Sequence, residues 1–126
     1  MSLRLDQIVA DIRRNGGITL NVTTGKPRTT GWAVSPYKDR EEKFQALTIN
    51  RLASYLSRHG VLLAQPHHYL GAWFNEEDGF TYLDVSIVVS TPADALEVAT
   101  KHDQLAVFHL DTCTTIPTPE LRRKLA

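Results

Sequence analysis

Five histidines, one cysteine and a run of alternating polar residues are the side chains of this 126-residue chain with chemistry to offer. A protein zinc site takes His, Cys, Asp or Glu donors at characteristic spacings, because a tetrahedral ion must be met from converging backbone segments. His59, His67, His68, His102 and His109 show no i, i+4 pair, no His-x-His and no His-Glu-x-x-His, and no cysteine pair accompanies them. His67 and His68 follow Pro66 and read as loop residues, while His109 reads as a hydrogen-bonded structural histidine or a sheet-face residue in an apolar strand. Cys113 with a histidine would make a nucleophile and its base. It has no flanking motif, and a small residue packed in or near a strand explains it as well. Ser35 and Ser86 lie in no Gly-x-Ser-x-Gly elbow, and Gly16-Gly17 is too short to cradle a phosphate. No catalytic residue, no cofactor-binding residue and no metal ligand is assigned. The chain is expected to be no enzyme and to need no cofactor.

The alternating residues are Tyr82, Asp84 and Ser86, which share one side of a strand because every second side chain projects together. On one reading they form a polar platform for a ligand or partner. On the other, Asp84 and Ser86 satisfy neighbouring backbone groups or face water. A turn at Asn75–Gly79 that pairs Phe74 with Phe80 and Ala72 with Tyr82 places Phe74, Tyr82, Asp84 and Ser86 on one face. Trp73 then joins Leu83 and Val85 on the other, and a one-residue slip exchanges the two sets. The charged stretch Lys38–Lys43 reads as a surface loop, a solvated strand end or a contact loop. With Lys38 and Arg40 it completes an expected partner-binding surface of Phe74, Tyr82, Asp84, Ser86, Lys38 and Arg40, which meets a protein partner or a second copy of the chain. Arg122-Arg123-Lys124 reads as a solvated helix end, or as a charge contact to nucleic acid or an acidic partner.

The charge balance narrows the partner class. Lys+Arg and Asp+Glu both number 14, so neither the basic excess of a general nucleic-acid binder nor the acidic excess of a DNA mimic is present. Nucleic acid is not expected as a partner. A lone cysteine forms no internal disulfide. Arg4, Asp6, Asp11, Arg13 and Arg14 interrupt any opening apolar run, and no apolar stretch approaches the roughly 20 residues of a membrane span. A cytoplasmic protein away from membranes is expected.

The elements that must position these residues follow from apolar periodicity. Leu5, Ile8, Val9 and Ile12 predict an amphipathic helix over 3–15, stopped at Gly16-Gly17. Ile18, Leu20 and Val22 alternate as a strand, and Gly31–Ser35 resumes after a turn at Gly25–Pro27 as the second arm of a hairpin. Thr48 caps a helix to about His59, where Gly60 ends it, and Val61–Ala64 is a connection. The second hairpin joins Gly71–Phe74 to Phe80–Ser90. Thr91 and Pro92 open a helix to about His102. Leu105–Leu110, apolar on both faces, reads as a central strand, and Thr112–Thr115 as an edge strand. Strand, helix and strand in this order predict a β-α-β crossover, with 105–110 parallel to 80–90. Pro117 and Pro119 end regular structure, leaving residues 117–126 as a flexible or short helical tail. The expected fold is a single α+β domain over residues 1–126, with a mixed sheet of four to six strands and about three helices. Leu83, Val85 and Ile87 should face its core beside Val107 or Phe108.

Gly31-Trp32-Ala33-Val34-Ser35-Pro36-Tyr37, Trp73-Phe74, Gly79–Ser86, the Ala-rich helix and Asp103–Leu110 together resemble a group of small uncharacterised proteins of actinobacteria and their bacteriophages. The resemblance covers about residues 17–115, and Tyr82–Ser86 is its most specific part. It implies a cytoplasmic accessory protein of phage origin and carries no catalytic residues. The expected function is a non-enzymatic protein-interaction or accessory role, phage-encoded and acting on a bacterial host protein. The alternative is a small hydrolase or nucleic-acid-modifying enzyme with its site near Asp84 and the histidines.

Overall fold

The computed structural model describes residues 3–126. Helix α1 (Leu5–Asn15) buries Ile8, Val9 and Ile12, the stripe that its 3.6-residue period places on one side, and Gly16 closes it at φ 79°. Helix α2 (Ile49–Leu63) begins where the Thr48 hydroxyl accepts the Arg51 N–H, and α3 (Pro92–Lys101) where the Thr91 hydroxyl accepts that of Asp94. Gly60 does not end α2. The helix carries on through it because Leu63, one turn further, is buried in the core at 1 % exposure. Burial of a Leu side chain is worth about 1.5–3 kcal/mol, more than the roughly 1 kcal/mol that glycine costs inside a helix.

Strands β1 (Gly17–Asn21), β2 (Lys26–Pro27), β3 (Trp32–Val34), β4 (Glu42–Phe44), β5 (His68–Asn75), β6 (Phe80–Val89), β7 (Ala106–His109) and β8 (Thr114–Pro117) form one sheet in the order β2-β1-β5-β6-β3-β7-β8. Strand β4 also pairs with β6. Every ladder among the described residues is antiparallel, so the sheet is not mixed, and it has eight strands rather than four to six. The first hairpin is also different. Strand β1 turns back onto the two residues of β2, whereas β3 leaves that hairpin and inserts between β6 and β7. Both β6 and β7 run antiparallel to β3 and hence parallel to each other, as a crossover through α3 requires. They are not neighbours, because β3 fills the space between them.

Helix α4 (Thr118–Leu125) replaces the expected tail. Pro119 sits in its first turn, where no N–H is needed, and Thr118 and Leu121 are buried. With α4 the chain has four α-helices among the described residues.

All four helices lie against the same side of the sheet. One core joins α1 and α2 to Leu20, Leu70, Ala72, Leu83 and Val85, and a second joins α3 and α4 to Val34, Val107, Ile87 and Ile116. Phe108 projects to the opposite side, since it alternates with Val107. Because strand side chains alternate, Tyr69, Gly71 and Trp73 of β5 and Tyr82, Asp84 and Ser86 of β6 project to that same helix-free face.

Candidate functional site

The helix-free face is organised by the β5–β6 hairpin, whose register differs by one residue from the expected one. Asn75 pairs with Phe80, Phe74 with Thr81, Trp73 with Tyr82 and Ala72 with Leu83. Asn75 sets this register. Its carbonyl accepts the Gly79 N–H at 2.8 Å and its side chain accepts the Glu77 N–H at 2.9 Å, so the turn closes on Asn75 rather than Phe74. Gly79 takes φ 74°, which a four-residue connection of this kind needs.

The slip exchanges Phe74 and Trp73. Phe74 lies on the Leu83 side at the hairpin end, and Trp73 stands beside Tyr82 with ring centroids 5.5 Å apart and planes inclined by 36°. Trp73 is 48 % exposed. The Tyr82 hydroxyl donates to the Asp78 carboxylate, which also accepts the Phe80 N–H, and these bonds hold the Asp78 carboxyl below the usual range. Lys43, opposite Tyr82 on β4, places its ammonium 4.9 Å from the Phe80 ring centre.

Next along the face is Asp84. Its Oδ1 accepts the Ser86 hydroxyl at 2.6 Å. The carboxyl lies over Gly71 so closely that a Cβ at position 71 would stand 2.2 Å from Oδ1 and 3.0 Å from Ser86 Oγ. Glycine at 71 is therefore what admits the carboxyl to the sheet surface. Burial pushes the Asp84 carboxyl up to about 6; the Ser86 hydroxyl opposes this in part and the negative charge of Glu41 adds to it. Among the described residues, no cationic side chain offsets this shift.

The edge of β6 beside Asp84 is interrupted. Strand β4 covers Thr81–Leu83 and β3 covers Ile87–Val89. Between them the chain leaves the sheet, and the Ser35 hydroxyl takes the Val85 carbonyl at 2.8 Å. The excursion runs to the helix side: Tyr37 packs against the first core, and the Tyr55 hydroxyl donates to the Arg40 carbonyl at 2.7 Å. Lys38 pairs with Asp103, and Arg40 reaches His59 Nδ1 at 3.2 Å. The structure therefore brings together Tyr82, Asp84 and Ser86, but not Phe74, Lys38 or Arg40. Trp73, Gly71 and Glu41 take their places.

The histidines are on the other side of the sheet or in loops. His59, buried on α2, receives Arg40 at Nδ1 and donates from Nε2 to Glu42 at 2.9 Å; Arg58 binds the same carboxylate oxygen and, as the largest influence, holds Glu42 low. Nδ1 of His68 donates to the Pro66 carbonyl at 2.8 Å, so its Nε2 accepts the Tyr37 hydroxyl at the same distance. His109 stacks on Trp32 at 4.1 Å. His67 takes φ 64° in an exposed turn, and His102 follows the last turn of α3. None of them stands with Asp84. Cys113 is exposed in a turn at φ 53°. No group of three His, Cys, Asp or Glu side chains able to hold a metal was found among the described residues, and no described helix is long and apolar enough to cross a membrane.

The pairing of Trp73 with Tyr82 was hidden from sequence because β5 is apolar on both sides. The signal that bears on it is Asn75, whose amide favours the residue that closes a turn. The Glu42, Arg58, His59 and Arg40 cluster has no such signal, since it joins three elements. The chain matches no protein-family model, no curated protein and no solved structure.

Proposed function

We propose that this protein is a non-enzymatic interaction module that binds a protein partner through the helix-free face of its sheet. One observation carries the reading: Trp73 and Tyr82 pack against each other on a face that none of the described helices covers, with Trp73 half exposed. Aromatic anchors ringed by polar groups supply most of the affinity of protein interfaces. Here the ring is Asp78, Asp84 and Lys43, with the buried Ser86 hydroxyl holding Asp84 from beneath. The resemblance to actinobacterial and phage proteins supports a bacterial host protein as the partner.

A photo-crosslinking phenylalanine analogue at position 82 tests this, with the same analogue at the exposed helix residue Val61 as control. In bacterial extract, position 82 should give a discrete adduct that Trp73→Ala abolishes while the melting temperature stays near that of the parent. Mass spectrometry of the adduct separates a host protein from a second copy of this chain. Equal labelling from position 61, or none from position 82, defeats the reading.

A further inference from the structure

Charge is distributed unevenly along this neutral chain. Residues 59–100 contain six acidic side chains, Glu76, Glu77, Asp78, Asp84, Asp94 and Glu97, and not one Lys or Arg. The first four belong to the β5–β6 hairpin, which makes the centre of the sheet. Glu41, next to β4, adds its charge beside Asp84. Of the cations on this face, Lys43 lies over Phe80, Arg28 donates to the Tyr69 hydroxyl at 3.3 Å and to the Thr30 carbonyl at 2.9 Å, and Lys26 stands on the outer edge strand β2, three strands from β6. Asp84 is left with a hydroxyl as its sole side-chain hydrogen-bond partner among the described residues.

A carboxylate set into a sheet surface loses hydration, and an ion pair with good hydrogen bonds restores what water supplied. An aromatic pair alongside adds the attraction of ring faces for a cation. We infer that the helix-free face recognises a positively charged segment of its protein partner, one Arg or Lys of which lies along Trp73 and Tyr82 and pairs with Asp84 and Glu41. This rests on that face being the interface, and it specifies what the partner must present there.

The probe is a short capped peptide alternating arginine and glycine, titrated into the ¹⁵N-labelled full chain near neutral pH. Glutamine-for-arginine and glutamate-for-arginine versions serve as controls. The arginine peptide should give saturable shifts at the amides of Gly71, Tyr82 and Asp84 and at the Trp73 indole N–H. Asp84→Asn should weaken binding about tenfold, the equivalent of about 1.4 kcal/mol. Glu41→Gln, at an exposed position, should weaken it several-fold and covers the case in which Asp84→Asn does not fold. Glu97→Gln, exposed on α3, should change nothing. Equal binding of the glutamine peptide overturns the inference, as do shifts confined to Glu76–Asp78 or an affinity indifferent to both variants. If position 82 crosslinks a partner but the arginine peptide does not bind, the cationic specificity falls and the interface stands. If position 82 crosslinks nothing, the interface itself falls.

Discussion

Asp84→Asn should make this protein more stable at neutral pH. The carboxyl of Asp84 is raised from 3.8 to about 6, chiefly because burial disfavours its charge. The folded state therefore holds a proton that the unfolded chain has already released. Wherever the folded state binds more protons, stability falls as pH rises. The loss begins near pH 4, where unfolded Asp84 ionises, and is complete above about pH 6. About two pH units at ~1.4 kcal/mol each give a penalty of up to about 3 kcal/mol at pH 7.5. An asparagine keeps the acceptor for Ser86 Oγ and the fit over Gly71 without the charge. Its amide hydrogens return part of the gain if unpaired, at about 1 kcal/mol or more, leaving a net gain of about 1–2 kcal/mol. Urea unfolding of both proteins at pH 7.5 and pH 4.5 reads this directly. Groups with depressed values, such as Glu42 and Asp78, act alike in both and cancel in the difference. The variant should lead at pH 7.5 and lose that lead at pH 4.5. A variant less stable at both values, or a difference independent of pH, refutes the placement of the carboxyl. A variant that gains stability while losing the arginine peptide marks Asp84 as kept for binding at the expense of folding.

Two further outcomes follow from the same geometry. Gly71→Ala should destabilise by about 1–3 kcal/mol through overpacking and push the Asp84 carboxyl toward solvent; carbonyl ¹³C titration should then find Asp84 closer to an ordinary aspartate, and an unchanged titration would show that it never lay over position 71. Leu83→Ala removes a fully buried side chain from the first core and should cost about 2–5 kcal/mol; calorimetry that finds the parent melting temperature contradicts the face assignment.

Much of the fold was legible because period and caps speak locally. Thr48, Thr91 and Gly16 start or stop their helices as their side chains dictate, and the alternation Leu83, Val85, Ile87 names the core face of β6 correctly. What was illegible depended on distant segments. The β3 residues read as an extended stretch, but nothing in them says that they pair with Val89 and His109 rather than with β1. Gly60 reads as a stop until Leu63 is seen to be buried. Of the expected interaction surface, Tyr82, Asp84 and Ser86 were accessible through simple alternation. Trp73 was not, because two apolar neighbours offer no period and the turn decides between them. Lys38 and Arg40 were drawn to the helix side by Asp103 and His59, which no local pattern announces.

The insertion of β3 between β6 and β7 bears on the order in which the chain assembles. Strand β3 leaves the ribosome long before either of its partners exists, with both edges unpaired. The β5–β6 hairpin is the most local long pairing in the sheet, and hairpins close within microseconds. Its free β6 edge then gives β3 a first template, and only a docked β3 offers β7 a place. Loop closure over such separations slows folding. Synthesis therefore leaves a six-stranded sheet ending in a bare β3 edge until the last sixth of the chain emerges, and chains truncated before β7 should be those most prone to edge-to-edge aggregation.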